Sequence, residues 1–212
     1  MINLINRILT SLFLLIILLL AIFNIYLTSF LIILILYLIS CELYLLLNRI
    51  LSKKKIYLYF AFLISIIYTS YFSLIIYQIF LSNNGDQKII LYFLITICIF
   101  TDTGGYFFGK IFKGKKITKI SPNKTYSGMI GSYIASISGA IIIFNDFFNF
   151  KEMILIIIMV SSISQLGDLF ISFLKRKAKI KDTGKLLPGH GGLLDRLDGI
   201  IFAIPFGLII IN

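Results

Sequence analysis

Acids, hydroxyls and cations are scarce in this chain, and they are grouped. In SQLGDLFISFLKR, residues 164–176, a repeat of 3.6 residues per turn puts Asp168, Ser172, Lys175 and Arg176 on one helical face. A helix facing lipid would not carry such a stripe, so protein, water or a polar ligand must lie opposite it. The stretch that follows, KDTGKLLPGHGGLLDRLDG at 181–199, contains Pro188, Gly189, Gly191 and Gly192. These residues break a helix and let backbone N–H groups approach a ligand closely, which suits phosphate. LLDRLDG then sets Asp195 and Asp198 three residues apart, on one face of a starting helix. Asp168 and Asp195 could converge on one cation from two elements. Mg2+ takes oxygen ligands and is commonly held by one or two carboxylates plus substrate phosphates. Lysines and arginines nearby would offset phosphate charge. The competing reading of Asp168 and Asp195 is a structural ion pair with a neighbouring Lys or Arg. For Glu42 that ion pair is the expectation.

Two further stretches are polar. In TDTGGYFFGK, residues 101–110, Asp102, Gly105, Tyr106 and Gly109 share a helical face. Gly105 and Gly109 form a small-xxx-small pair of the kind that lets helices approach closely. In SPNKT, residues 121–125, Ser121 before Pro122 reads as an N-cap with proline at the first helical position. Lys124 and Thr125 would then lie in the first turn, where free N–H groups attract anions. An ordinary capped helix start explains the same residues. GKIFKGKK at 109–116 fits G-x-x-x-x-G-K but ends in Lys116, where a P-loop needs Ser or Thr, and no strand precedes it, so a nucleotide-binding loop is excluded. His190 is the single histidine. A multi-histidine zinc site is therefore excluded, and no G-x-S-x-G nucleophile elbow is present. His190 is a phosphate donor or a turn residue on this reading.

The elements that must position these groups are apolar. The 212 residues are 59% hydrophobic and only 14% charged, with 20 Phe, 12 Tyr and no Trp. That composition cannot supply the polar exterior of a soluble helical protein. It predicts an all-α, polytopic integral membrane protein with seven transmembrane helices, or eight if the long third run divides. The spans fall near 8–23, 25–47, 56–81, 89–109, 126–144, 152–174 and 199–212. The first run continues beyond a signal-peptide core and shows no small-residue cleavage site, so it is expected to remain in the protein. One membrane-embedded catalytic domain covers 1–212, with N-terminal spans at 1–81 and a catalytic core at 89–212 that includes the loop 172–198. With the N-terminus in the cytoplasm, 18 of the 20 Lys and Arg lie on the cytoplasmic side, and only Lys88 and Lys151 do not. The positive-inside rule thus accounts for the net charge of +11 without a nucleic-acid partner. Cys41 and Cys98, both in apolar runs, read as small hydrophobic residues rather than a disulfide or metal site.

The run SxxKRxxxxKDxGxxxPGHGGxxDRxD is present in full from Ser172 to Asp198. It resembles the signature of the phosphatidate cytidylyltransferases, also called CDP-diacylglycerol synthases. The resemblance extends to GDL at 167–169, SPNKT at 121–125, DTGGYFFGK at 102–110 and RILT at 7–10, and Glu42 matches an acidic position near the end of an early span. It implies transfer of CMP from CTP to phosphatidate, giving CDP-diacylglycerol and pyrophosphate, with Mg2+ required and K+ associated with the metal centre. It implies Asp168 and Asp195 as metal positions. Asp168, Lys175, Arg176, Lys181, Asp182, Asp195 and Arg196 become catalytic candidates. Asp102, Ser121, Lys124, Thr125, Ser172, His190, Gly191, Gly192 and Asp198 become substrate-binding candidates. The implied partners are CTP, phosphatidate and membrane lipid; a homodimer is compatible with the sequence. The implied location is the bacterial inner (plasma) membrane, with N-terminus and active site cytoplasmic.

The chemistry read from the residues agrees. A phosphate monoester is largely ionised at neutral pH, its second pKa being about 6, so no strong general base is needed. The difficulty is that one anion attacks another, which calls for cations and positioning. An anion transporter would use similar basic loops, but its polar residues belong at the bilayer midplane rather than at one face. A structural protein binding anionic lipid leaves the acids unexplained. A related CTP-dependent enzyme acting on an isoprenoid lipid is the nearer alternative.

Overall fold

The structure, a computed structural model, describes residues 20, 24–82, 84–118, 121, 124–184 and 191–211. Apart from one isolated bridge between Lys116 and Thr125, the regular elements among them are helices. These are α1 (Ile25–Leu51), α2 (Lys55–Leu81), α3 (Gly85–Phe112), α4 (Tyr126–Phe144), α5 (Phe150–Lys177), α6 (Leu194–Leu197) and α7 (Ile200–Ile211). The chain is an all-helical, polytopic membrane protein: α1 to α5 are each long and apolar enough to cross a bilayer. The expected span at 8–23 lies outside the described residues. The third apolar run is one uninterrupted helix of 27 residues, not two. The last expected span is α7, whose 12 residues fall short of the roughly 20 that a crossing needs.

Helix ends follow local chemistry. Asn24 caps α1, its Oδ1 accepting from the N–H groups of Tyr26 at 3.0 Å and Leu27 at 3.3 Å. Asp86 stands in the first turn of α3 and Lys110 in its last; Glu152 and the Lys175–Lys177 cations do the same for α5, each sign matching the helix dipole. Along the long helices large apolar side chains such as Ile33, Phe60, Ile67 and Ile142 are exposed, as a lipid-facing surface requires.

The helices form two compact units, Met1–Asn84 with Leu174–Leu197, and Gly85–Phe173 with Asp198–Asn212. In the first, α1 packs on α2, with Tyr44 and Phe62 edge to face at 5.1 Å and Ile39, Leu46 and Leu58 buried. In the second, α3 and α4 share the most intimate contact. A Cβ built on Gly104 would stand 2.4 Å from Ala135 Cβ and 2.7 Å from the Gly131 carbonyl; one on Gly128 would stand 2.8 Å from the Gly105 carbonyl. Only hydrogen fits there, so the backbones approach closely. Hydroxyls fasten α3 to both neighbours: Thr101 Oγ1 donates to Ser161 Oγ of α5 at 2.9 Å, and Ser132 Oγ of α4 to the Thr101 carbonyl at 2.8 Å. Such interhelical bonds contribute about 0.6 kcal/mol each in membrane proteins. Cys41 and Cys98 are free thiols, and Cys98 is buried.

Candidate active site

The close packing of α3 on α4 leaves a cavity of about 290 Å³ at one end of the second unit. Its wall brings together five sequence candidates: Asp102, Ser121, Lys124, Thr125 and Asp168. Asp102 arrives on α3 beside Gly105 and Tyr106, the polar face expected of TDTGGYFFGK. Asp168 arrives on α5, and Lys124 from the segment before α4. Lys124 Nζ stands 2.5 Å from Asp168 Oδ2. Ser172, one turn beyond on α5, donates to Asp168 Oδ1 at 3.3 Å. Thr101, Ser132 and Gln165 also line the cavity and were not singled out from sequence. Gln165 had a signal: it lies three residues before Asp168 in an apolar run, hence on the same face.

The SPNKT segment folds differently from its expected cap. The helix starts at Tyr126, and the N-cap is Thr125 rather than Ser121: Thr125 Oγ1 accepts from the Gly128 N–H at 3.1 Å. Lys124 and Thr125 therefore precede the first turn, and one first-turn N–H is already consumed. The reason is the antiparallel bridge between Lys116 and Thr125. Ile117 N–H donates to the Lys124 carbonyl at 3.0 Å and Tyr126 N–H to the Lys115 carbonyl at 3.1 Å, which pairs Thr125 with Lys116 and holds Thr125 extended. Ser127 Oγ adds a hydrogen bond to the Lys113 carbonyl.

In the first unit the signature residues form a second polar cluster. Lys175 Nζ lies 2.7 Å from Asp195 Oδ1, with both side chains nearly buried. Asp195 Oδ2 accepts from the N–H groups of Thr183 at 2.8 Å and Gly192 at 3.1 Å. Burial alone would raise the Asp195 carboxyl, but the Lys175 ammonium and these two N–H groups outweigh it and hold it below its usual value. Glu42 is buried on α1 and forms no ion pair with Lys or Arg among the described residues, contrary to expectation. Instead it accepts three hydrogen bonds from the loop, from Thr183 Oγ1 at 2.7 Å and from the N–H groups of Leu193 and Leu194, each at 2.9 Å. Thr183 was missed because it fills a variable position of the motif.

The N–H groups of residues 192–194 thus serve two carboxylates of the chain itself. Gly191, with φ +88°, adopts a backbone conformation that favours glycine. Lys181, Asp182, Arg176 and Arg196 are exposed. Asp198 lies just beyond α6. The helix stops at Leu197, and Asp198, buried in the second unit, accepts from the Gly199 N–H at 2.9 Å. Gly199 packs against Ser164, where an added Cβ would stand 2.5 Å from Oγ. Pro188, Gly189 and His190 lie outside the described residues.

The ion-pair reading is therefore met geometrically by both Asp168 and Asp195. Asp168 belongs to the second unit and Asp195 to the first. Two carboxylates, Asp102 and Asp168, open on one cavity together with hydroxyl and amide oxygens. That is a hard oxygen-donor set of the kind Mg2+ uses, given that Mg2+ commonly completes its shell with substrate phosphates and water. The described residues contain no group of three or more His, Cys, Asp or Glu side chains suited to a metal, so a metal there would need ligands beyond carboxylates.

The model of the cytidylyltransferase family matches residues 2–212. The chain is also similar to proteins named phosphatidate cytidylyltransferase: 45% identical over 120 residues to one from Staphylococcus haemolyticus, covering 55% of this chain and 46% of the relative. To one from Rickettsia typhi it is 40% identical over 142 residues, covering 61% and 62%. To one from Helicobacter pylori it is 40% identical over 111 residues, covering 51% and 42%. The chain spans about half the length of the curated relatives it matches.

Proposed function

Because the chain belongs to the cytidylyltransferase family and is similar to proteins named phosphatidate cytidylyltransferase, we propose that it catalyses transfer of CMP from CTP to phosphatidate. A phosphate oxygen of phosphatidate attacks the α-phosphorus of CTP. The bond from that phosphorus to the oxygen bridging to the β-phosphate breaks, and pyrophosphate leaves with the electron pair. The observation that carries this reading is the cavity in which Lys124, Asp102 and Asp168 meet the hydroxyls of Ser121 and Thr125. Lys124 screens the charge of an entering phosphate. The Ser121 hydroxyl donates to its oxygens, while the Thr125 hydroxyl, bonded to Ser127 Oγ at 2.9 Å, shapes the wall beside it. No residue need act as strong base, since the attacking oxygen is already ionised.

Asp168, with Asp102 beside it on the cavity wall, would hold Mg2+, and when bound the ion would supply charge neutralisation for phosphate oxygens and the leaving pyrophosphate. The apolar helices would keep the diacyl tails in the bilayer while the head group enters the cavity. By the charge asymmetry of its loops, the site would face the cytoplasm across a bacterial inner membrane.

The test is direct. The purified chain, labelled CTP, phosphatidate and Mg2+ are combined in mixed micelles, and the lipid product is separated. CDP-diacylglycerol should appear, disappear on adding EDTA and return with excess Mg2+. A folded preparation that makes none refutes the proposal. Turnover that persists in EDTA refutes the metal.

A further inference from the structure

The two flanks of residues 185–190 are held by carboxylates from opposite ends of the first unit's sequence. Thr183 gives its N–H to Asp195 and its hydroxyl to Glu42. Gly192 gives its N–H to Asp195, and Leu193 and Leu194 give theirs to Glu42. Glu42 is about 140 residues away in sequence, being separated from Thr183 by 141 positions. It is 6% exposed, so its carboxylate has lost most of its hydration and depends on these donors. The surrounding glycines are shaped to it. A Cβ on Gly184 would stand 2.7 Å from Glu42 Oε1, and one on Gly192 would stand 2.6 Å from Oε2.

Among the described residues no cation pairs with this buried carboxylate, which makes it costly to hold, and apolar packing alone would be served better by Leu or Met. Ionised, it is acceptor-only and offers about four lone-pair sites, more than any neutral side chain of its size. Three loop donors meeting at one side chain is the demand it satisfies. We propose that Glu42 is a positioning residue: from α1 it clamps Thr183 to Leu193–Leu194 and so aims Asp195 and the adjoining signature residues. Only the kinetic part of its test rests on the CMP-transfer reading above.

The test uses the full chain in detergent micelles, with wild type, Glu42→Gln, Glu42→Ala, Gly184→Ala and the double variant Glu42→Ala/Gly184→Ala. Amide exchange in peptides covering 181–184 and 191–195 should quicken in Glu42→Ala, with peptides of α3 and α4 unchanged. Glu42→Gln keeps one oxygen acceptor and should fall between. Gly184→Ala should mimic Glu42→Ala, since its methyl displaces the carboxylate. The double variant should be no worse than Glu42→Ala alone, because the methyl then meets no carboxylate.

Kinetically, kcat should fall about 10- to 100-fold in Glu42→Ala, the range for groups that orient a site's working residues. KM for CTP should change by less than about threefold, as expected when a transition-state arrangement is lost rather than ground-state binding. Wild-type exchange in Glu42→Ala, or effects of the two substitutions that simply add, overturns the clamp. If Glu42→Ala does not fold, Glu42→Gln and Gly184→Ala decide the same question. A wild type without turnover would refute the function reading, and exchange alone would then judge Glu42.

Discussion

Replacing Asp195 by Asn isolates the Lys175 ion pair. The pair is short, 2.7 Å, with side-chain exposures of 13% for Lys175 and 9% for Asp195. Removing one member of a buried pair costs about 3–5 kcal/mol, because the other charge is left desolvated. Asn keeps one oxygen, able to accept from the Thr183 or Gly192 N–H, which returns about 1 kcal/mol. The net loss is therefore about 2–4 kcal/mol. At about 2–4 °C per kcal/mol for a chain of this size, the apparent melting temperature falls by about 4–16 °C. Melting is followed by far-UV circular dichroism in detergent.

Two further measurements sharpen the test. Lys175→Met alone should also destabilise, but Asp195→Asn/Lys175→Met should be milder than the sum, with a coupling of about 1–3 kcal/mol. The pH dependence has a definite sign. The folded Asp195 carboxyl lies below its ordinary value of 3.8, so its stabilisation is fully present above that value and is lost as pH falls through the lower, folded one. The gap between wild type and Asp195→Asn should thus be flat from about pH 5 to 8 and close only below about pH 4. A melting temperature within about 1 °C of wild type, or a gap that grows on acidification, would show that the pair does not hold this loop. Turnover should be abolished as well, with the protein still inserted in the membrane.

Lys124→Met leaves the two cavity carboxylates without their ammonium and removes a charge-assisted donor worth about 1.5–3 kcal/mol, so KM for CTP should rise about tenfold or more; an unchanged KM removes Lys124 from the phosphate site. Gly104→Ala drives a methyl to 2.4 Å from Ala135 Cβ and should cost about 1–3 kcal/mol, lowering both melting temperature and turnover. Gly85→Ala, which meets nothing within 4 Å, is its control and should melt like wild type.

Much of the candidate site was legible because its residues are improbable where they stand. Asp102, Lys124 and Asp168 are ionisable groups at the ends of apolar runs, and lipid tolerates such groups only against a cavity or partner. Helical phase then put Asp168 and Ser172 on one face, as the 3.3 Å bond between them bears out. The spans at 25–47, 56–81, 89–109, 126–144 and 152–174 were equally legible, since hydropathy over about 20 residues is a property of the sequence alone. Their ends were less so. Helices α1, α3 and α5 run several residues past the apolar stretch, and α4 takes Thr125 as its cap because the bridge pairing Thr125 with Lys116 keeps it extended.

Hydropathy and motif spacing are one-dimensional, and they determined what is one-dimensional here: an all-helical membrane chain, its main spans and the cytidylyltransferase signature. Which donors meet which acceptors depends on distances in space, and those only the tertiary structure decided. Nothing in the residues near Glu42 shows that its partners are Thr183, Leu193 and Leu194, or that two glycines of the signature are small to admit its carboxylate. An ion pair was the local expectation for Glu42. Backbone N–H groups of Leu193 and Leu194, left over at the start of a four-residue helix, supplied a stronger demand, because buried donors must be satisfied wherever in the sequence the acceptor lies.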